Sequence, residues 1–365
     1  MARTRRSDLS RRTVFAGGLA GAALVPLASN VRAADAIQWK MVTSWPKNLP
    51  GPGITAQRIC ERIEAMSGGR LTVRLYAARE LVSPFEVFGA VEAGTAEMGH
   101  TASFFWQGKL PAAALFTAAP FGLTPLEHIT WIDHGGGQDL WDRLYAPFGI
   151  KPFMGGNTGF QMGGWFRSEI TGPEDFKGLK IRMPGLGGEV ARKLGATPVS
   201  LPPAEILTAL QTGVVDAAEF LGPWSDFAMG FYKAAKHYYY PGFHEPNGTG
   251  EALVSQAALD ALPEDLQAIV RHACAAENIL ALGESEWQNA HRLTVLSGEH
   301  DVDVKRFPDA VLAAARTASE EVLDDLAAKD AISGEIVASY RAARARLSTW
   351  GAVSSGTYLS VRSEG

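Results

Sequence analysis

Residues 205–223 read EILTALQTGVVDAAEFLGP, and this stretch indicates how the chain folds. Its first part has helical periodicity, and Gly213 can adopt the left-handed conformation that ends a helix. VVDAAEF, which follows, is β-rich and predicts a buried strand. The earlier stretch EVFGAVEAGTAE, at 86–97, has the same order, with Gly94 lying 119 residues before Gly213. That order is common in α/β proteins, but it also predicts two similar units that offer strand ends to one cleft.

The rest of the sequence extends this alternation in both directions. Strand-like stretches at 36–45 and 71–77 flank a helix-like stretch at 54–69, and KPFMGG, FQMGGWFRS and LKIRMP are further strand candidates after residue 150. Beyond about residue 255 the pattern becomes helical and stays so. We therefore predict an α/β fold with largely parallel sheets, built from two units and completed by a helical C-terminal third.

Residues 1–33 are predicted to be a twin-arginine signal peptide that is removed on export. SRRTVF at 10–15 supplies the arginine pair, the apolar stretch after it is short for a membrane span, and small residues surround Ala33. An N-terminal anchor is the alternative. Residues 1–33 contain six of the 34 basic residues and one of the 39 acidic residues. The chain without them therefore has a formal net charge of −10. Such an acidic periplasmic protein is a poor partner for nucleic acid or an anionic membrane.

Motifs of the common enzyme classes are absent from the sequence. It has no GxSxG, no Walker loop and no HExxH. PGLGGEVARKLG, at 184–195, resembles a dinucleotide loop, but Val190 stands where the third glycine is needed. Cys60 and Cys274 both lie in helical patterns, so two buried apolar thiols are expected, although export also permits a disulfide.

Two acids interrupt the strand predicted after Gly213. On a strand over 214–221, Glu219 shares a face with Val215 and Ala217, whereas Asp216 lies on the other face. An ionised carboxylate in such a place needs a partner or a cation. We expect Asp216 to bind local amides and Glu219 to face the cleft. Glu219→Ala should then cost cation-dependent binding and leave the fold intact, whereas Asp216→Ala should mainly cost stability.

Arg182 and Gln161 are two further polar candidates. Arg182 ends the alternating strand KIRMPG, where it can hold a carboxylate in two parallel hydrogen bonds or be a surface residue of an edge strand. Gln161 lies among glycines in GNTGFQMGGW and offers a neutral oxygen to a cation or a donor to an anion.

The chain resembles a known family in several stretches: MGHTASFFWQGK, GNTGFQMGGWFRS, KIRMPG, and residues 201–247, from LPPAEIL to GFHEPN. They are similar to the periplasmic solute-binding subunits of TRAP transporters, most of all those that bind 2-oxo acids such as pyruvate, or lactate, with a metal cation. The resemblance covers essentially the whole mature chain. It implies a periplasmic binding protein of two α/β lobes that close on a ligand at a hinge cleft.

The resemblance also implies roles for individual residues. Arg182 would pair with the substrate carboxylate, Gln161 would bind both substrate and cation, and Glu219 would be the carboxylate ligand of one Na⁺ or Ca²⁺. Further candidates are the main-chain oxygen of Phe220 for the cation, Glu245 for cation or substrate, and Asn157, Phe104, Phe105 and Trp106 for the substrate.

Domain boundaries and partners follow from the same resemblance. Lobe I is expected at 34–156 plus about 246–282, lobe II at 157–245, and helices packing across the lobes at 283–365. The expected partners are the TRAP permease in the membrane and, through the C-terminal helices, a second copy of the chain.

Two other functions remain open from the sequence. One is binding of a larger sugar acid or aromatic acid. The other is an exported metal-dependent oxo-acid enzyme, for which His244 is the candidate base. Adjacent residues of a strand point to opposite faces, which weakens a joint role with Glu245.

Overall fold

The computed structural model describes residues 36–363, so the predicted signal peptide lies outside it. No helix in this range is long and apolar enough to cross a membrane. The strands are β1 (Ile37–Thr43), β2 (Leu71–Tyr76), β3 (Met98–Thr101), β4 (Ile150–Asn157), β5 (Gly164–Phe166), β6 (Lys180–Arg182), β7 (Thr197–Val199), β8 (Ala217–Ala218), β9 (His237–Tyr240), β10 (Thr249–Ser255) and β11 (Asp303–Arg306).

The helices occupy most of the remaining chain. They are α1 (Pro52–Ser67), α2 (Val87–Glu92), α3 (Pro125–His134), α4 (Gly137–Tyr145), α5 (Gly185–Lys193), α6 (Pro203–Thr212), α7 (Pro223–Met229), α8 (Gln256–Asp260), α9 (Glu264–Glu299), α10 (Asp309–Ala327), α11 (Ala331–Gly351) and α12 (Thr357–Ser363). The two-unit α/β fold with a largely helical C-terminal third is thereby confirmed.

The strands form two mixed sheets. The first has the order β2-β1-β3-β10-β4, with β1 parallel to β2 and β3 and with β10 antiparallel to both its neighbours. The second has the order β11-β9-β5-β8-β6-β7, in which β6 is parallel to β7 and β8. The assignment of residues to lobes, with the boundaries given above, stays a prediction.

The internal similarity seen in the sequence is present in the structure. Helix α2 leads through Gly94 (φ 69°) to β3, and α6 leads through Gly213 (φ 74°) to β8. Each strand lies in the interior of its own sheet. The chain leaving β3 and the chain leaving β8 both run into the central cavity described below.

Two details of the predicted elements are wrong. The strand expected over 214–221 is only two residues long in the structure, Ala217–Ala218. The residues directly after Gly213 lie outside the sheet, and Val214 is 61% exposed. The C-terminal third is not wholly helical, since β11 extends the second sheet as a parallel neighbour of β9. Cys60 and Cys274 are free and buried in an apolar cluster, as expected of two apolar thiols.

The long helix α9 connects the two sheets. It packs on β4 of the first sheet and on α7, which follows the second sheet's β8. Its buried Glu277 accepts hydrogen bonds from Arg58 Nε (2.6 Å) and Arg62 Nε (2.9 Å) of α1. Because both arginines anchor one buried carboxylate, this side of the helix is fixed to the first sheet's layer.

A buried acid on β10 makes the stability of the fold depend on pH. Glu251 is fully buried, its Oε2 accepts from Tyr145 Oη (2.9 Å), and its Oε1 has no partner in residues 36–363. Burial raises the pKa of Glu251 to about 8, against the smaller opposite effects of Tyr145 and Trp106. The neutral carboxyl therefore fits the fold better than the ionised one.

We expect Glu251→Gln to flatten the pH dependence of unfolding. The folded pKa lies above the unfolded value, so the stability linked to this group is complete below about pH 4 and is lost as pH rises to 8. Gln keeps an acceptor for Tyr145 and does not titrate. Urea unfolding at pH 5, 6.5 and 8 measures this, with Glu299→Gln, an exposed change, as control. Parallel curves for wild type and Glu251→Gln would contradict the expectation.

Candidate ligand and cation site

Arg182 occupies the carboxyl end of β6, inside the second sheet. It is 2% exposed, and β6 lies between β8 and β7, so the edge-strand alternative is wrong. Nη1 donates to the main-chain oxygen (2.7 Å) and to Oε1 (2.6 Å) of Glu219, and Nε donates to the Leu201 carbonyl (3.3 Å). Nη2 has no protein partner in the described part of the chain. The guanidinium is thus fixed by three bonds and keeps one nitrogen for a ligand.

Glu219 is placed beside Arg182 by the parallel pairing of β6 and β8. Arg182 lies opposite Ala218, and Glu219 N donates to Arg182 O (3.0 Å). The carboxylate is 1% exposed and also accepts from His244 Nε2 at Oε2 (3.0 Å). Asp216, by contrast, is half-buried and accepts from Lys180 N (3.1 Å), which is the local structural role expected of it.

Glu245 and Gln161 complete a buried polar group around Glu219. Ligand atoms of Glu219, His244 and Glu245 all lie within 4.8 Å of one another. Burial, and then the negative charge of Glu219, raise the pKa of Glu245 well above its usual range, while Arg182 and the Gln161 amide act in the opposite direction. Two buried carboxylates this close favour a positive charge between them.

A central cavity lies against these groups. It has a volume of about 30 Å³, the space of about one or two water molecules. Its lining residues are Trp45, Pro52, Ala102, Phe104, Phe105, Thr117, Thr158, Gln161, Arg182, Phe220, Leu221, Glu245, Gly248, Thr249 and Gly250. Residues that follow β3 in the first sheet and β8 in the second meet here, as the two similar units suggested.

The structure thus brings most of the predicted site residues together. Arg182, Gln161, Glu245, Phe104, Phe105 and Phe220 line the cavity. Glu219 is not among the lining residues. It lies next to them, bonded to Arg182 and with a carboxylate oxygen within 4.8 Å of one of Glu245.

Trp106 and Asn157 are not at the cavity, so direct contact with a ligand is not supported for them. Trp106 points to the far side of its turn and donates to Tyr145 Oη (3.0 Å). Asn157 donates to Asn247 Oδ1 (2.7 Å) and to Thr249 Oγ1 (3.2 Å). Asn157 therefore holds Thr249, which does line the cavity.

The oxygens at the cavity suit a hard cation. Gln161 Oε1 is buried and has no partner among residues 36–363, and Gln161 Nε2 donates to Thr158 Oγ1 (3.1 Å). The Phe220 carbonyl accepts no hydrogen bond from the described residues. Two carboxylates, an amide oxygen and a carbonyl oxygen are the ligand types that Na⁺ and Ca²⁺ take. The residues present therefore fit a cation. Each carboxylate oxygen of Glu219 also accepts one hydrogen bond, from Arg182 or from His244.

His244 is the main site residue that sequence reasoning placed wrongly. The alternation rule separated it from Glu245, but β9 ends at Tyr240 and the segment after it is a turn, so both side chains approach Glu219. His244 is fully buried, and its Nδ1 has no partner in residues 36–363. The Pro241 and Gly242 before it signal such a turn.

Gly248 is a second contributor without a sequence signal. A Cβ at this position would lie 2.1 Å from Thr158 Oγ1 and 2.2 Å from Gln161 Nε2. Glycine is therefore needed for the Gln161 amide to keep its place.

Comparison with known proteins identifies the family of the chain. The model of the bacterial extracellular solute-binding proteins of family 7 (DctP) matches residues 42–330. A monocarboxylate 2-oxoacid-binding periplasmic protein of Nostoc is 39% identical over 323 residues, 88% of each chain.

Two solved relatives are similarly close. A TRAP periplasmic solute-binding protein of Pseudoalteromonas atlantica, with bound sodium and pyruvate, is 39% identical with a TM-score of 0.86, covering 89% of this chain and 99% of its own. That of Colwellia psychrerythraea, with bound calcium and pyruvate, is 38% identical with a TM-score of 0.87 and the same coverage. The chain belongs to the bacterial extracellular solute-binding proteins of family 7, the DctP family of TRAP systems.

Proposed function

We propose that this protein captures a small 2-oxo or 2-hydroxy monocarboxylate, such as pyruvate or lactate, together with one Na⁺ or Ca²⁺. It does so in the periplasm and delivers the ligand to a TRAP permease in the membrane. The protein acts by binding and release and carries out no reaction.

The observation that carries this proposal is the chemistry of the central cavity. Arg182 lines it and uses only Nε and Nη1 for bonds to the described residues, which leaves Nη2 for a ligand. The buried Glu245 and the Gln161 Oε1, which has no partner in residues 36–363, lie beside it. Arginine is the residue suited to a carboxylate, and the free oxygens are suited to a cation. Relatives at 38–39% identity that bind pyruvate with sodium or calcium support the same ligand class.

Glu219, Glu245, Gln161 Oε1 and the Phe220 carbonyl would hold the cation. The cation would offset the two buried carboxylates and attract the carboxylate and keto oxygens of the ligand. Arg182 then orients the ligand from its other side, and His244 fixes Glu219 through the Nε2 hydrogen bond.

Calorimetry of the full mature chain with and without Na⁺ or Ca²⁺ tests the proposal. We expect pyruvate and lactate to bind, with an affinity that rises with cation concentration. Glu245→Gln keeps the shape of the side chain and removes its charge. It should weaken the cation dependence by about tenfold, because one of the two carboxylates is lost.

Asp260→Asn, a change of an exposed acid on α8, is the matched control and should leave binding unchanged. Absence of binding to every short 2-oxo and 2-hydroxy acid, under all cation conditions, would overturn the proposal.

The two alternatives have less support in this geometry. A larger sugar acid would place hydroxyl groups against the apolar lining of Trp45, Phe105 and Leu221. A sugar acid or aromatic acid retained through purification would support this alternative. An oxo-acid enzyme would need a base that faces the ligand, whereas His244 is buried behind Glu219 and does not line the cavity. Turnover of an oxo acid that His244→Ala abolishes would support the enzyme.

We also propose a second copy of the chain as a partner, through the C-terminal helices. The buried residues of α11 end at Tyr340, and the helical chain beyond it carries exposed Trp350 (68%) and Tyr358 (65%). Light scattering of the mature chain with and without residues 352–365 tests this. A monomer in both cases would exclude the dimer.

A further inference from the structure

Phe105 is the residue shared by the linings of the central cavity and of the larger outer groove. Phe105 lines the cavity and also lines two grooves on the outside of the protein, of about 570 Å³ and about 160 Å³. The larger groove is bordered by Val82, Phe85 and Phe88, and the smaller by Phe104 and Pro198. Phe105 is partly exposed, in agreement with its position between the central cavity and the outer grooves.

The ring of Phe105 is held in place from several directions. Its centroid lies 4.8 Å from those of Phe85 and Phe104 and 6.0 Å from that of Trp45. Trp45 is fixed in turn, because its Nε1 donates to His100 Nδ1 (2.8 Å). A ring packed on three aromatic neighbours gives a rigid wall.

The backbone below the ring is fixed as well. Phe105 belongs to the short helical turn Ser103–Trp106, and its N donates to Ala102 O (3.1 Å). Ser103 is bonded to Thr117 through both its N (3.0 Å) and its Oγ (2.7 Å). The wall therefore yields to a larger ligand only at a cost in packing.

The chemistry of the cavity lining orients a bound acid. Arg182, Gln161 and Glu245 supply its charged and amide groups, whereas Trp45, Phe105 and Leu221 are among its apolar residues. A carboxylate held by Arg182 leaves the alkyl end of the acid to the apolar part of the lining. Phe105 is the apolar residue of this lining that also borders the groove of about 570 Å³.

We infer that Phe105 is the specificity-determining residue that limits the ligand to short-chain acids. Its ring blocks the passage from the central cavity to the outer groove beside Phe85. This inference rests on the proposed function, because it assumes a carboxylate at Arg182. Without the ring, the alkyl chain of a longer 2-oxo acid extends into the groove of about 570 Å³.

Calorimetry with a series of unbranched 2-oxo acids, from pyruvate to 2-oxohexanoate, tests the inference in the presence of Na⁺ or Ca²⁺. The wild type should lose affinity with each added methylene. In Phe105→Ala, the ratio of the Kd for 2-oxohexanoate to that for pyruvate should fall by about tenfold or more, because each buried methylene contributes about fourfold in affinity.

Val82→Ala is the control. Val82 borders the outer groove, does not line the cavity and is not among the aromatic neighbours that hold the Phe105 ring, so its truncation should leave that ratio as in the wild type. Phe105→Leu, a milder change, should shift the ratio in the same direction, and it replaces Phe105→Ala if that variant does not fold by thermal unfolding.

The two possible failures are distinguishable. If the wild type binds 2-oxohexanoate as tightly as pyruvate, or if both Phe105 variants keep the wild-type ratio, the inference is wrong while the proposed function stands. If the wild type binds none of these acids, the proposed function fails and the inference fails with it.

Discussion

Arg182→Lys is expected to weaken binding of the carboxylate ligand by about 3 kcal/mol, or roughly 150-fold in Kd. The guanidinium is anchored through Nε and Nη1 to Leu201 O and Glu219, which leaves Nη2 for the ligand. An ammonium is a point charge and cannot keep these bonds and reach the ligand at the same time. The loss should therefore appear although the charge is conserved.

Titration calorimetry measures this effect, with Arg306→Lys as the matched change. Arg306 is exposed and pairs with Asp309 three residues later, so its replacement should alter neither affinity nor stability noticeably. Thermal unfolding without ligand separates lost binding from lost folding. An Arg182→Lys protein that is folded and binds with the wild-type Kd would exclude Arg182 as the carboxylate anchor.

Glu219→Gln is expected to remove both the cation dependence of binding and part of the stability. The sequence alone suggested that loss of this carboxylate, tested as Glu219→Ala, leaves the fold intact. The structure changes that expectation, because Glu219 is buried between Arg182 (2.6 Å) and His244 (3.0 Å). Removing one charge from a buried pair costs about 3 kcal/mol, since Arg182 then stays buried without the carboxylate bonded to its Nη1.

Urea unfolding and calorimetry of the same preparation check both parts. Asp216→Asn changes a half-buried acid at the start of the same segment, and Asn can still accept from Lys180 N. It should cost at most about 1 kcal/mol of stability and leave ligand affinity unchanged. If Glu219→Gln keeps wild-type stability and cation dependence, Glu219 has neither role.

The elements that position the site could be predicted from local patterns. The glycines at 94 and 213 mark helix ends, and Arg182 follows an alternating strand, so the convergence of strand ends was visible in the sequence. Strand alternation placed the Glu219 side chain at the site. Glu219 is the residue directly after β8, so the alternation of that short strand still sets its direction.

The misplaced residues have a common physical cause. His244, Trp106 and Asn157 lie in turns, in a short helical turn or at a strand end, where side-chain direction follows from tertiary contacts and not from a period of two. The role of Phe105 as a wall depends on empty space on both of its sides. Empty space is a property of the packed molecule and has no pattern in the sequence.

The 119-residue spacing between the two similar units pairs His100 with Glu219. His100 lies within β3, whereas Glu219 comes directly after the shorter β8. Burial lowers the pKa of His100 to about 4, and its ring accepts from Trp45 Nε1 and donates to the Gly155 carbonyl. Equivalent positions thus serve a neutral scaffold in one unit and the charged site in the other. Selection of ligand size at Phe105 and selection of ligand charge at Glu219 thus belong to different units. If the two units descend from one duplicated ancestor, these two kinds of selectivity were free to evolve separately.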